Sequence, residues 1–275
     1  MDEKTVLSAD TLILAVSFGT SYHETRQATI GAIEDALREA FPQYEVRRAF
    51  TSQMIINKLK KRDDLHIDNV KEALDRAAAD GFRHLILQPT HLMDGLEYND
   101  VREELKEYES VFDSVALGAP LLDSDQDFSQ VIRAVTDATK AYCDGRTAVA
   151  FMGHGSEAEA NGVYTRLQEM LREEGFDQYF IGTVEAEPNL GRIMEMMKEN
   201  GPYERVVLQP LMVVAGDHAT NDMAGDDEDS WKSVLTGEGY QVECVLKGLG
   251  ELEAIRQMYV DHARTALNAA VHHRA

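Results

Sequence analysis

Short apolar runs rich in β-branched residues alternate along the chain with amphipathic stretches of helical spacing. The apolar runs predict strands at 12–18, 44–50, 84–89, 114–117, 147–152, 179–184, 205–214 and 241–246. The amphipathic stretches predict helices at 24–40, 69–79, 98–108, 128–142, 162–174, 190–199 and 254–269. Near-continuous apolar strands separated by helices are typical of parallel sheets covered on both faces. The pattern therefore predicts an α/β fold. Ser21, followed three residues later by Glu24, predicts a capping box at the first helix.

An internal repeat divides the chain. Leu-Gln-Pro occurs at 87–89 and at 208–210, and a glycine follows each copy at the same spacing, as Gly95 and Gly216. Asn-Asp pairs follow at 99–100 and 221–222. We therefore predict two similar lobes, 1–143 and 144–275, each a parallel sheet flanked by helices, with a cleft between them. Ligands of such sheets bind beyond the carboxyl ends of the strands, which points to the loops after the strands.

Three polar residues of the second lobe follow strands that we expect to be neighbours. His154 comes directly after the strand at 147–152, within Gly-His-Gly, and Glu185 follows the strand at 179–184. His218 follows the strand at 205–214. Two imidazoles and a carboxylate suit a divalent metal of borderline softness and leave coordination positions open. Alone, each histidine is more often structural and the glutamate more often solvated, but the three together favour a metal site.

The repeat places different residues at the equivalent positions of the first lobe. Phe18 stands where the second lobe has His154, and Glu97 stands where it has His218. We expect Phe18 and Met93 to contribute an apolar wall to a ligand site, although core packing is the alternative for each. His91 ends the third strand and is expected to point toward the same site.

Charge and cysteine content limit the possible partners. The chain has 27 basic and 49 acidic residues and a net charge of -22, which excludes broad binding to nucleic acid or to an anionic membrane. The two cysteines, Cys143 and Cys244, offer neither a CxxC spacing nor a disulfide framework. The chain opens with acidic Asp2 and Glu3, and no targeting segment is visible. We expect a cytoplasmic protein.

Several cofactor motifs are missing from the sequence. It contains neither a Walker A loop nor HExxH, and the glycines at 248 and 250 are not followed by the third glycine of a dinucleotide fingerprint. We expect no organic cofactor.

Five segments of the chain resemble the anaerobic sirohydrochlorin cobaltochelatases. They are LILAVSFGTSYHETR at 12–26, RAFTSQMIINKLKK at 48–61, MGHGSE at 152–157, GTVEAE at 182–187 and LMVVAGDHATNDMAGDDEDSW at 211–231. The resemblance implies a class II chelatase fold and ATP-independent insertion of Co(II) into sirohydrochlorin, or its precursor precorrin-2, in anaerobic cobalamin synthesis. Cobalt is then a substrate. The family's metal ligands fall on His154, Glu185 and His218, and its proton acceptor falls on His154.

An anionic tetrapyrrole needs local positive charge on so acidic a protein. Residues 47–62 hold six basic side chains and no acid. For the four basic residues at 58–62, a solvated helix face over 55–62 is the favoured alternative. Arg48 lies near the end of a predicted strand, and arginine can clamp a carboxylate with two parallel hydrogen bonds. We therefore expect Arg48 to bind the substrate. The alternative is that backbone N–H groups of the turns at Gly19 and Gly155 hold the substrate carboxylates.

Three other functions remain compatible with these residues. The same ligands accept Fe(II), which would give sirohaem. Two lobes around a cleft also describe a non-enzymatic carrier of metal or tetrapyrrole. A zinc hydrolase is the weakest alternative, because no separate general base or nucleophile accompanies the three residues. The expected partners are a tetrapyrrole and a divalent metal, and a homo-oligomer is possible.

Overall fold

The computed structural model describes residues 10–272, with side chains described through residue 270. The acidic start of the chain, Asp2 and Glu3, lies outside the described residues. The strands are β1 (Thr11–Ser17), β2 (Glu45–Phe50), β3 (His84–Pro89), β4 (Ser114–Leu117), β5 (Thr147–Gly153), β6 (Tyr179–Thr183), β7 (Arg205–Pro210) and β8 (Gln241–Cys244).

Helices connect successive strands, and a long helix follows the last strand. They are α1 (His23–Arg26), α2 (Ala32–Ala40), α3 (Gln53–Asp63), α4 (Val70–Ala79), α5 (Leu96–Lys106), α6 (Asp125–Thr139), α7 (Gly162–Glu173), α8 (Leu190–Asn200), α9 (Trp231–Gly237) and α10 (Glu253–His272). Short π-helical turns lie at Gln27–Gly31 and Ala219–Met223. No helix in the described part of the chain is both long enough and apolar enough to cross a membrane.

The strands form two parallel sheets with the same internal order. One sheet has the order β2-β1-β3-β4, and the other has the order β6-β5-β7-β8. Leu14 of β1 lies opposite Arg47 and Leu87, and Ala150 of β5 lies opposite Phe180 and Leu208. This matching topology is what the internal repeat predicted, and the predicted α/β fold is confirmed.

Each sheet has its own hydrophobic core. Every residue of the inner strands β1 and β5 is buried, because helices cover both faces of a parallel sheet. Leu12, Leu14 and Val16 contribute to the core of one sheet, and Ala148, Ala150 and Met152 contribute to the other. The buried inner strands fix where their carboxyl ends emerge, and this positions the loops discussed below.

The chain divides into two compact units at points that differ from the predicted boundary of 143/144. The N-terminal unit is Met1–Asp123 with Arg256–Ala275, and the C-terminal unit is Ser124–Ile255. Helix α6 belongs with the second sheet, where Thr139 Oγ1 lies 2.9 Å from the Tyr179 hydroxyl. Most of α10 returns to the first unit, where the Tyr259 hydroxyl donates to the Thr90 carbonyl at 3.0 Å. The repeat in the sequence did not reveal this late return.

Some predicted local features differ from the structure. Strand β7 ends at Pro210 rather than 214, because the apolar segment beyond it bends and accepts backbone hydrogen bonds from Leu249 and Gly250. The helix predicted at 24–40 contains the π-helical turn at Gln27–Gly31. The capping box predicted at Ser21 is wrong, since Tyr22 is the N-cap and makes no side-chain cap bond.

Helix α3 was expected only as a solvated helix face over 55–62, and α9 was not among the predicted elements. Helix α3 is rich in lysine and buries only Ile56 and Leu59, so its helical periodicity is weak. Capping boxes do occur in the structure, at Asn69 with Glu72 and at Ser124 with Asp127.

Candidate functional site

The C-terminal unit brings His154, Glu185 and His218 together at the carboxyl ends of β5, β6 and β7. Each residue offers one atom that could bind a metal, a ring nitrogen or a carboxylate oxygen, and these three atoms lie within 4.8 Å of one another. The order β6-β5-β7 makes these three strands neighbours, so their following loops meet at one sheet edge. The structure thus assembles the group that strand-end placement predicted.

The turn after β5 depends on glycine. Gly155 has a φ of +92°, and a Cβ there would lie 2.9 Å from the Ala186 backbone nitrogen and from the Thr183 side chain. The loop after β6 is hydrogen-bonded to this turn, because the backbone N–H of Glu185 donates to the His154 carbonyl at 2.9 Å. Backbone contacts therefore fix Glu185 next to His154.

The ring of His154 is oriented by a backbone carbonyl. Its Nδ1 lies 2.9 Å from the Gly155 carbonyl oxygen, which can only accept a hydrogen bond. In the neutral imidazole, Nδ1 must therefore carry the hydrogen, and Nε2 keeps its lone pair. The same Nδ1 lies 3.7 Å from Glu185 Oε2. His154 is thus ready to bind a metal or accept a proton through Nε2.

The ring of His218 is oriented by a carboxylate. His218 directly precedes the π-helical turn Ala219–Met223, and its Nδ1 lies 2.7 Å from Oδ2 of Asp222. The two histidine rings stand edge to face, with centroids 4.6 Å apart. Sequence reasoning noted Asp222 only as part of the repeated Asn-Asp pair, although its i+4 spacing from His218 was a usable signal.

The site is open to small ions. The side chains of His154, Glu185 and His218 are 46, 55 and 35 % exposed. Two neutral imidazoles and a carboxylate match the donor preferences of divalent metals such as Co(II), and three protein ligands leave coordination positions for further ligands. The arrangement can therefore hold a metal that is later passed on.

The N-terminal unit places Phe18 and Gly19 directly after β1. The Phe18 side chain is unusually exposed for an aromatic residue, at 45 %. Gly19 has a φ of +99°, and a Cβ there would lie 2.5 Å from the Phe50 ring. Glycine is thus required at this turn, which holds Phe18 toward solvent instead of in the core.

His91, Met93 and Glu97 lie near the carboxyl end of β3. His91 is buried, and neither ring nitrogen has a hydrogen-bond partner among the described residues. Its Nε2 lies 3.7 Å from Oε2 of Glu97, in the first turn of α5. Burial lowers the pKa of His91 to about 4. Met93 is half-buried, and its carbonyl accepts a hydrogen bond from Gly95.

Arg48 differs from the expected substrate clamp. Its Nε and Nη2 donate to the two carboxylate oxygens of Glu34 at 2.6 and 2.8 Å, and the Glu34 side chain is only 2 % exposed. The guanidinium face that would bind a substrate carboxylate is already occupied. A cavity of about 540 Å³ opens beside this pair, and its other arginines, Arg38, Arg47 and Arg76, also pair with acids.

Comparison with known sequences identifies close relatives. The profile of the cobalt chelatase family CbiK matches residues 11–268. The chain is 40 % identical to the sirohydrochlorin cobaltochelatase of Salmonella typhimurium, over 94 % of this chain and 97 % of the relative. It is 32 % identical to the sirohydrochlorin cobaltochelatase CbiKC of Nitratidesulfovibrio vulgaris, over 94 % of this chain and 90 % of the relative.

Solved structures show the same fold at low sequence identity. SirB from Bacillus subtilis with Fe3+ superimposes with a TM-score of 0.65 at 14 % identity, covering 94 % of this chain and 96 % of SirB. CbiX, the terminal enzyme of sirohaem biosynthesis in denitrifying bacteria, gives a TM-score of 0.55 at 16 % identity, covering 93 % of this chain and 98 % of CbiX. Since the family profile and the 40 % identical relative both span nearly the whole chain, this protein belongs to the CbiK cobalt chelatase family.

Proposed function

We propose that this protein inserts Co(II) into sirohydrochlorin without ATP, early in anaerobic cobalamin synthesis. The observation that supports this proposal most strongly is the cluster of His154, Glu185 and His218 at three adjacent strand ends. It occurs in a chain 40 % identical to a sirohydrochlorin cobaltochelatase. Metal and tetrapyrrole are then the two substrates, and precorrin-2 is the alternative macrocycle.

The cluster would bind the incoming Co(II) first. The Nε2 lone pairs of His154 and His218 and the Glu185 carboxylate replace part of the hydration shell of the ion. Holding the metal partly dehydrated lowers the cost of exchanging its remaining waters for ring nitrogens. Three protein ligands leave coordination positions at which the macrocycle can enter.

Proton transfer accompanies metal entry. The free macrocycle carries two inner N–H protons, and both must leave as its four nitrogens form bonds to cobalt. The Nε2 of His154 can accept such a proton once Co(II) has left it for the ring nitrogens, since its Nδ1 hydrogen is held by the Gly155 carbonyl. The proton then passes to solvent, to which the His154 side chain is 46 % exposed.

The proposal also assigns the binding of the tetrapyrrole to residues of the N-terminal unit. We assign contacts with the tetrapyrrole to Phe18, to the backbone N–H groups at Gly19, and to Met93 and Glu97, with His91 behind Glu97. The exposure of the Phe18 ring supports this assignment, because an aromatic side chain at a strand end gains from covering a flat macrocycle. Arg48 is left out, since it is bound to Glu34.

A spectroscopic assay tests the proposed function. Purified protein, sirohydrochlorin and Co(II) are mixed anaerobically, and the change in macrocycle absorption is followed against a protein-free sample. Faster insertion with Co(II) than with Fe(II) supports the proposal. A preference for Fe(II) would assign the protein to sirohaem formation, because imidazole and carboxylate ligands do not select cobalt by affinity. Binding with no acceleration over the uncatalysed reaction would make it a carrier.

Ligand substitutions test the metal assignment. His154→Ala and His218→Ala should each abolish insertion while leaving thermal unfolding unchanged, because both side chains are partly exposed and their removal leaves no cavity. Glu185→Ala should weaken Co(II) retention, measured by equilibrium dialysis, more than tetrapyrrole binding. Near-wild-type insertion by either histidine variant would remove that residue from the ligand set.

The remaining assignments rest on sequence. We propose a cytoplasmic protein that uses no organic cofactor, in line with the cysteine content and with the absence of nucleotide-binding motifs from the sequence.

A further inference from the structure

Asp222 contacts His218 through the local backbone conformation. Its Oδ2 lies 2.7 Å from His218 Nδ1, four residues earlier in the chain. His218 itself has helical dihedral angles, φ -59° and ψ -41°, and leads into the π-helical turn Ala219–Met223. Side chains four residues apart on helical backbone lie on the same face. The contact therefore follows from the shape of this segment.

The segment that carries both residues is firmly held. Ala219 and Met223 are buried in the core of the C-terminal unit. The Ala224 N–H donates to the Ala219 carbonyl at 3.2 Å, and the Thr220 hydroxyl donates to the Gly216 carbonyl at 2.9 Å. Asp222 is thus presented to His218 from an anchored turn. Its side chain is 45 % exposed, so its carboxylate also remains solvated.

The contact determines which nitrogen of His218 can bind metal. An ionised carboxylate only accepts hydrogen bonds, so the Nδ1 of His218 must carry the hydrogen, and the lone pair is on Nε2. His154 has the same tautomer for a different reason, because its Nδ1 donates to a neutral carbonyl. Only His218 therefore has its Nδ1 within hydrogen-bond distance of a carboxylate, since Glu185 Oε2 lies 3.7 Å from the Nδ1 of His154.

We propose that Asp222 is a positioning residue that fixes the tautomer and ring orientation of His218 for capture of Co(II). The inference rests on the metal site of the proposed function. Carboxylates that hold the second nitrogen of a ligating histidine commonly strengthen metal binding. Glu185 and Asp222 each carry one negative charge, and together these two charges balance the charge of a divalent ion.

Co(II) binding to the protein without tetrapyrrole provides the first test. Asp222→Ala should weaken Co(II) binding by about 10–100-fold, the usual effect of losing such a partner. Asp222→Asn should fall between Asp222→Ala and wild type, since its amide oxygen still accepts the Nδ1 hydrogen but carries no charge. The control is Glu169→Gln on the exposed side of α7, which removes one negative charge away from the site and should bind Co(II) as wild type does.

Steady-state kinetics separate positioning from loss of structure. For Asp222→Ala, the KM for Co(II) should rise while the KM for sirohydrochlorin and the metal-free melting temperature stay near the wild-type values. Nitrogen NMR of the metal-free protein reports which ring nitrogen of His218 is protonated. We expect the Nδ1–H form in wild type and in Asp222→Asn, and a mixture of tautomers in Asp222→Ala.

The two proposals fail in different ways. If His218→Ala binds Co(II) as tightly as wild type, the metal site itself is wrong. If His218→Ala loses Co(II) but Asp222→Ala retains wild-type affinity and an Nδ1–H His218, only the positioning role is overturned.

Discussion

His91 is a buried imidazole whose pKa has a measurable effect on stability. Burial lowers its pKa from 6.5 to about 4 in the folded protein. As pH falls below about 6.5, the unfolded chain gains a proton on this residue that the folded chain does not bind until pH approaches 4. The free energy of unfolding should therefore fall across this window, by about 3 kcal/mol from His91 alone.

Substitution isolates this contribution. His91→Leu should show a weaker loss of stability between pH 6.5 and 4 in denaturant titrations, with equal or higher stability at pH 7, because two unpaired buried nitrogens are removed. His66→Leu is the matched control, since the His66 side chain is 68 % exposed. Identical pH profiles for His91→Leu and wild type would show that His91 is solvated in solution.

Arg48, whose side chain is 26 % exposed, forms an ion pair between β2 and α2 with the buried Glu34. Arg48→Ala removes both short hydrogen bonds and leaves the Glu34 carboxylate buried, with only Arg38 at 3.4 Å. The free energy of unfolding should fall by about 3 kcal/mol, the lower end for breaking a buried pair. Lys60→Ala, at an exposed position of α3, should change it by less than about 0.5 kcal/mol.

Kinetics then decide what Arg48 does. Since its guanidinium is bound to Glu34, Arg48→Ala and Lys60→Ala should change the KM for sirohydrochlorin to a similar, small extent. A selective rise in this KM for a folded Arg48→Ala protein would restore Arg48 as a substrate clamp.

At the scale of elements, the turn at Gly155, directly after β5, controls the geometry of the proposed metal site. Gly155→Ala should reduce stability by about 1–2 kcal/mol, because its φ of +92° disfavours a side chain. It should also abolish Co(II) binding, since the added Cβ would meet the Ala186 backbone and displace the loop bearing Glu185.

A second glycine provides the control for this turn. Gly175, after α7, has a φ of +83°, but a Cβ there would meet nothing within 4 Å. Gly175→Ala should therefore lower the melting temperature while leaving Co(II) binding and insertion unchanged. Equal metal affinity in Gly155→Ala and Gly175→Ala would show that the turn is not what holds the ligands.

Over the whole molecule, the net charge of -22 acts on both substrates with opposite sign. The field of the protein attracts Co(II) and repels a polycarboxylate tetrapyrrole. Raising the ionic strength from about 0.01 to about 0.15 M shortens the screening length from roughly 30 to roughly 8 Å. The KM for Co(II) should then rise and the KM for sirohydrochlorin should fall. A rise in both values would indicate a positively charged binding surface for the tetrapyrrole.

The sequence by itself determined the α/β class, the duplicated sheet and the candidate metal ligands. Strand identity follows from local apolar runs, and the bounds of β3 and β4 were predicted without error. The clustering of His154, Glu185 and His218 was predictable for the same reason, because parallel strands deliver the residues after them to one edge. These inferences need only chain order and periodicity.

Only the tertiary structure decided which side chains meet across the chain. Arg48 was expected to face substrate, yet it binds Glu34, 14 residues earlier on another element. Tyr259 joins α10 to Thr90 across 169 residues, which moved the boundary between the units. The burial that depresses the pKa of His91 depends on the packing around it. Hydrophobic periodicity specifies which face of an element is covered, but the partner of each polar side chain depends on distances that exist only after the elements have packed.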